Sequence, residues 1–265
     1  MVRYRAASAM APIPFDRHGV PGTIELVDDF VMYGADVTAS SASAAVASDL
    51  DWSMIAVAGD SGHTAIVVGE SDHQGIMALW CDPSDTAAVA LKLGRAINTE
   101  ADEAFFLDTN GLYVATVLRV PTLAATKVAF GLTGVAAIAL PNSSALDVIH
   151  WVFDNADTAA KWIAQVNGAG TDVEQASAIT YVASDWVLLE IAADTSSVTF
   201  RITTEDDTET IVLDGADSSV EPVVAMRPEF IVCAETDGTN AVIDIDLFVL
   251  RYIRRQSLTA SWLGQ

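Results

Sequence analysis

Residues 186–213 read WVLLEIAADTSSVTFRITTEDDTETIVL. Val187, Leu189 and Ile191 fall on one side of an extended chain, and Val198, Phe200 and Ile202 fall on one side of the next segment. Apolar residues repeating every second position mark strands with one buried face, not a helix. Asp194, Thr195 and Ser196 separate the first two segments with side chains that bond nearby backbone and favour turns. A third apolar run, ETIVLDG (209–215), follows, so 186–213 is predicted to be a three-stranded meander.

The same alternation recurs along the chain, in GTIELVDDFVMY, SMIAVAG, TAIVVGE, GIMALWC, TAAVALKLG, KVAFGLTG, ALDVIHWVF, KWIAQVNG, ASAITYVA and AVIDIDLFVLRYI. A dozen or more short strands with turn signals every 8–12 residues predict an all-β chain, a single antiparallel two-sheet β-sandwich. Helix is expected only as short pieces, in 39–49 and 157–165. No linker rich in Pro, Gly or Ser divides the sequence. The expected organisation is an N-terminal arm over 1–20, a sandwich over 21–253 and a C-terminal arm over 254–265.

Composition narrows the partners. The 265 residues are 51% hydrophobic and 18% charged, enough for a sizeable core, with 36 acids against 13 bases and a net charge of −23. Charge is also segregated. Arg3, Arg5 and Arg17 stand near the start and Arg251, Arg254 and Arg255 near the end, while residues 21–246 hold 35 acids and 7 bases. Such a body repels nucleic acid and anionic membrane, and neither is expected as a partner. No run of 18 uncharged apolar residues spans a bilayer, and the start lacks an apolar core long enough for a signal peptide. Cys81 and Cys233 read as two small buried thiols, with pairing between them left open.

Four stretches carry residues of the kinds that do chemistry. GDSGH (59–63) differs by one letter from the GDSGG around a protease serine, but only His18 precedes it, and the residues upstream are too few to hold a catalytic His and Asp on a barrel. Two glycines and an aspartate between apolar runs predict a hairpin tip, and Ser61 is not expected to be a nucleophile. Asp49, Asp51 and TEDDTE (204–209) crowd carboxylates without a calcium-loop pattern, and His63, His73 and Asp72 lack convincing transition-metal spacing. No catalytic residue, metal or cofactor is expected. Trp186, opening a strand, is expected in the core. Trp151 is expected to pack inside as well, the alternative being a sugar shelf with Asp147, His150 and Asn155.

With the strands laid out, EAFFLDTNGLYVATVLRVPTLAATKVAFGLTG (103–134), SDWVLLEIAADTSSVTFRITTEDDTETIVLDG (184–215) and PVVAMRPEFIVCAETDGTNAVIDIDLFVLRYIRR (222–255) resemble the strand signatures of concanavalin A-like, LamG-type jelly rolls. The resemblance covers about 100–255 and implies a jelly roll. Some members of that family are glycosidases with acids alternating as E-x-D-x-E. The nearest matches are Asp244 with Asp246, placed on one face with Phe248 next, and the loop acids Glu100, Asp102 and Glu103, and neither completes the pattern. The acidic, alanine-rich sequence is also similar to virion structural proteins of tailed bacteriophages. That likeness implies a non-enzymatic capsid-decoration or fibre protein, assembled in the host cytoplasm and carried on the virion. Its partners would be further copies of itself, a trimer among the options, and virion proteins such as the major capsid protein. Arg3, Arg5, Arg17, Arg254, Arg255, Trp262 and Leu263 would be the docking residues. The alternative is a carbohydrate-binding module or receptor-binding fibre domain of the same fold.

Overall fold

The computed structural model describes residues 23–30, 37–40, 44–46, 50, 52–56, 61–67, 70, 73, 75–82, 87–93, 105–106, 111–123, 126–134, 138, 147–154, 160–168, 171–193, 197–214, 225–234 and 240–253. In chain order the strands are β1 (Thr23–Asp28), β2 (Val37–Ser40), β3 (Ala44–Val46), β4 (Trp52–Ala56), β5 (Ser61–Val67), β6 (Ile76–Cys81), β7 (Ala88–Leu93), β8 (Phe105–Phe106) and β9 (Leu112–Arg119). They continue as β10 (Thr126–Thr133), β11 (Val148–Asp154), β12 (Lys161–Gly168), β13 (Thr171–Thr180), β14 (Val187–Ala193), β15 (Ser197–Thr203), β16 (Thr208–Asp214), β17 (Ala225–Ala234) and β18 (Ala241–Ile253). No helix occurs among the described residues.

Two antiparallel sheets form the expected sandwich. The first runs β16-β15-β14-β9-β18-β6-β5-β2, with β1 also on β18; the second runs β13-β12-β11-β10-β17-β7-β4-β3, with β8 on β17. The predicted meander is β14, β15 and β16, paired in sequence order. Its inward residues Val187, Leu189, Ile191, Val198, Phe200 and Ile202 are all buried. Opposite them the second sheet contributes Phe130, Trp151, Phe153, Trp162 and Phe230 to the same core. Trp52, Phe230 and Phe248 link the layers through tilted and edge-on ring contacts 4.9–5.6 Å between centroids, a geometry that suits the ring quadrupoles.

Three sequence expectations change. Residues 161–165 are strand, not helix: Trp162, Ala164 and Val166 enter the main core while Ile163 is buried on the opposite side of the sheet, which only a period of two achieves. Val37–Ser40, overlapping the start of the other helix candidate (39–49), and Ala44–Val46, in its middle, are strands too. GDSGH is not a hairpin tip. The strand before it, β4, belongs to the second sheet and β5 to the first, so the chain changes layers there, with Ser61–His63 already inside β5. In the same way β17 and β18, similar to the family's closing pair, lie in different sheets.

β18 carries a β-bulge. Ile245 faces Leu118, but Leu247, not Asp246, faces the next partner, Val117. Asp246 is therefore an extra residue, and it shifts the alternation by one place. Ile243 and Ile245 point inward before it, and Phe248 and Leu250 after it, all fully buried. Phe248 thus belongs to the core and does not share a face with Asp244. The terminal arms proposed over 1–20 and 254–265, with Arg3, Arg5, Arg17, Arg254, Arg255, Trp262 and Leu263, lie outside the described residues. Cys81 and Cys233 are buried thiols that are not joined in a disulfide.

Candidate functional site

Since Val187 faces inward, the alternation turns its predecessor Trp186 outward, and the ring is half-buried at the sheet rim instead of in the core. Around it converge the end of β9, the bulged middle of β18 and the turn before β6. That turn is closed by its own backbone: Glu70 N–H donates to His73 O at 2.7 Å, and His73 N–H donates to Glu70 O at 3.3 Å. The turn aims both side chains at Trp186.

The cluster is tightly cross-linked. The His73 ring stacks on Trp186 with centroids 4.0 Å apart and planes 21° from parallel. The Arg119 guanidinium carbon lies 4.7 Å from the centre of the Trp186 ring, a cation–π distance. Arg119 Nε donates to Asp244 Oδ2 at 2.8 Å and Nη1 to Glu70 Oε1 at 2.7 Å. His73 Nδ1 lies 2.9 Å from Asp246 Oδ2. Alternation places Asp244 and Asp246 together on the solvent side of β18, each with its own partner, and the bulge at Asp246 then returns Phe248 and Leu250 to the core.

Protonation follows from these contacts. The hydrogen bond from Arg119 holds the Glu70 carboxyl below its ordinary range, helped by the guanidinium charge and by Trp186. Burial pushes the Asp246 carboxyl up, and His73 offsets only part of that. Burial opposes the Arg119 charge, yet the bonds to Asp244 and Glu70 leave its pKa raised. The Glu70 side chain is 47% exposed and Arg119 16%, so a ligand meets a carboxylate and a guanidinium beside an aromatic ring.

The sugar shelf around Trp151 is not assembled. Trp151 is fully buried, its Nε1 donates to Glu190 O at 3.1 Å and its ring meets Phe200 edge-on at 5.3 Å, leaving no ring face for a ligand. His150 is buried on the opposite side of the second sheet, 2.9 Å from Glu229. Asp147 is half-buried with its carbonyl bound by Gly134 N–H, and Asn155 lies outside the described residues. Asp72 does too, and His73 is occupied by Asp246.

A second polar group went unread in the sequence. Lys92 on β7 and Glu229 on β17 are cross-strand neighbours with Lys92 Nζ 3.0 Å from Glu229 Oε2, His150 on β11 reaches Glu229 across Gly131 of the intervening β10, and all three are buried. Burial alone would push Glu229 up, but the Lys92 charge and His150 hold its carboxyl below the ordinary value. Closed to solvent and set in a small apolar cluster of Ala88, Ala90, Ala129, Val152 and Ile231, this group holds the sheet together and offers a ligand nothing. The sequence hint was Lys92 following outward-facing Ala88 and Ala90. Among the described residues no three His, Cys, Asp or Glu side chains are arranged to hold a metal ion.

No protein-family model and no curated protein sequence matches the chain. Solved structures do. A protein of unknown function from Shewanella oneidensis MR-1 is 14% identical with a TM-score of 0.56, covering 90% of each chain. Arcelin-5, a lectin-like defence protein from Phaseolus vulgaris, is 10% identical with a TM-score of 0.53, covering 88% of this chain and 100% of its own. The exoplasmic/lumenal domain of VIP36, bound to Ca²⁺ and Man3GlcNAc, is 12% identical with a TM-score of 0.51, covering 81% of this chain and 88% of its own. At such identities the likeness is one of fold: the chain is a two-sheet sandwich of the concanavalin A-like lectin type.

Proposed function

We propose that the chain is a non-enzymatic attachment domain that binds a glycan at the Trp186 cluster. The observation that carries this is the pre-set geometry of Glu70, Arg119 and Trp186, each held by the others, with the Glu70 carboxylate half-exposed. A sugar offers hydroxyl groups and apolar C–H faces. Sites that take it combine planar charged groups with an aromatic ring, and groups already locked lose little entropy on binding. Asp244 and Asp246 are engaged by Arg119 and His73, which favours a holding role over acid–base work. The VIP36 complex contains Ca²⁺; the donor set here does not fit that ion, since these carboxylates already have protein partners, and binding is assigned to the side chains alone. Glycan-array screening followed by calorimetry tests this. Saturable binding to one glycan class, weakened about tenfold (~1.4 kcal/mol) by Glu70→Gln, is expected. No binding across a broad panel, or binding indifferent to Glu70→Gln and Arg119→Lys, overturns it.

A second reading keeps the attachment role and sets it on a phage virion, with the sandwich decorating a capsid. Its support is the separation of basic ends from a body of 35 acids and 7 bases, which suits docking between copies. Mass spectrometry of purified particles tests it: detection of this chain supports a virion role, and its absence removes it.

A further inference from the structure

We infer that the Trp186 cluster selects a glycan bearing free amino groups, an unacetylated hexosamine unit above all, and turns away uronates and other acidic sugars; this rests on the glycan reading of the cluster. Hydrogen-bond supply points to it first. The donors of the cluster are spent inside it. Arg119 gives Nε to Asp244 Oδ2 at 2.8 Å and Nη1 to Glu70 Oε1 at 2.7 Å, and its side chain is mostly buried. His73 Nδ1 is paired with Asp246 Oδ2 at 2.9 Å, and that side chain is buried too. The group that reaches solvent is an acceptor, the half-exposed Glu70 carboxylate. A ligand here must bring donors. A sugar hydroxyl brings one, whereas a protonated amino group brings three together with a positive charge, and charge-assisted bonds are the stronger kind.

Charge points the same way. Glu70, Asp244 and Asp246 share the cluster with one permanent cation, Arg119. Arg119 is the group that an acidic sugar would need, and two carboxylates already balance it. Exposed Asp29, which follows β1, lies near enough for its charge to add to the upward push that burial gives the Asp246 carboxyl. Even a protonated His73 leaves the sum negative.

The rim adds another acid. Asp185 is exposed and directly precedes Trp186, on a turn pinned by three bonds. Ser184 N–H donates to Val120 O at 3.0 Å, Asp185 N–H to Val182 O at 3.2 Å, and the Tyr181 hydroxyl to Asp185 O at 2.7 Å. The turn therefore holds Asp185 at the sheet rim next to Trp186. Residues 21–246 carry 35 acids against 7 bases, so the wider field also repels a uronate and draws in an ammonium.

Calorimetry on the full chain tests this with tetramers of glucosamine, N-acetylglucosamine and galacturonate, and with tetralysine as a charge without a sugar. The buffer is acid enough to charge the sugar amine and neutral enough to keep Glu70 ionised, and circular dichroism confirms the fold of each variant. The glucosamine tetramer is expected to bind about tenfold or more tighter than its acetylated form, with galacturonate and tetralysine weakest. That preference is expected to shrink in about 1 M salt, where the Debye length falls to about 3 Å. Glu70→Gln is expected to abolish most of it, and Asp29→Asn or Asp185→Asn part of it. Acetylated or acidic tetramers binding as tightly as the amino form, a preference that survives Glu70→Gln, or tetralysine matching glucosamine overturns the inference. The first two results leave the glycan reading standing, because a sugar is still bound; absence of binding to all three sugars, and to every glycan of a broad panel, removes both.

Discussion

Arg119 reaches Asp244 with its Nε at 2.8 Å while its guanidinium carbon lies 4.7 Å from the centre of the Trp186 ring. One side chain thus joins β9 to β18 and supports the rim aromatic. Lysine has one charged head and no planar fork, so Arg119→Lys keeps the charge and loses the simultaneous contacts with Asp244, Glu70 and Trp186. Charge-assisted hydrogen bonds contribute about 1.5–3 kcal/mol when well shielded, and the exposed side of this cluster reduces that. A loss of about 1–2 kcal/mol in urea unfolding is expected, with ligand binding weakened more strongly than stability.

Lys92 and Glu229 give a sharper result. Lys92→Met strands a buried carboxylate and is expected to cost about 3–5 kcal/mol, whereas Lys92→Met with Glu229→Gln recovers most of it. The pH dependence carries the sign of the same pairing. Glu229 sits below its ordinary 4.5 in the folded chain. Its contribution is therefore fully present above 4.5 and is lost as pH falls through the lower folded value. Unfolding curves between pH 3 and 6 are expected to show a shallower acid limb for Glu229→Gln than for the wild type.

Deleting Asp246 tests the bulge. Without the extra residue Leu247 follows Ile245 in regular alternation, so Phe248 and Leu250 keep their inward places and β18 keeps its register with β9 and β1, while His73 loses its carboxylate partner. The near-ultraviolet circular dichroism signal of the core is expected to persist while Trp186 fluorescence changes, because His73 loses its anchor; Asp246→Asn, which retains an acceptor for His73, is expected to leave both unchanged.

Trp151→Phe and Trp151→Ala separate core from ligand shelf. The alanine change is expected to cost about 3–5 kcal/mol, through the lost contact with Phe200 and the cavity left behind. The phenylalanine change costs less and leaves glycan affinity unaltered. A folded Trp151→Phe protein with selectively weakened binding contradicts the assignment of the site to Trp186.

The meander was legible because Val187, Leu189 and Ile191 face a single core. Alternation said less about Trp151, whose neighbours His150 and Val152 are also buried on the far side of the same sheet. The bulge was written in VIDIDLFVL as a slip in phase from Ile243 and Ile245 to Phe248 and Leu250, easily taken for an unbroken face. GDSGH misled because neighbouring strands usually pair, and here the chain changes sheets. Lys92 with Glu229, and His73 with Trp186, stand more than a hundred residues apart, and only the sheet order brings them together.

The most direct test follows the tryptophan indole N–H resonances of a ¹⁵N-labelled protein during titration with the glycan selected on the array, the Trp186 signal being assigned through Trp186→Phe. The account predicts a saturable shift of the Trp186 resonance while those of buried Trp52, Trp151 and Trp162 stay fixed. Saturable shifts confined to the buried indoles, with Trp186 unmoved, contradict it.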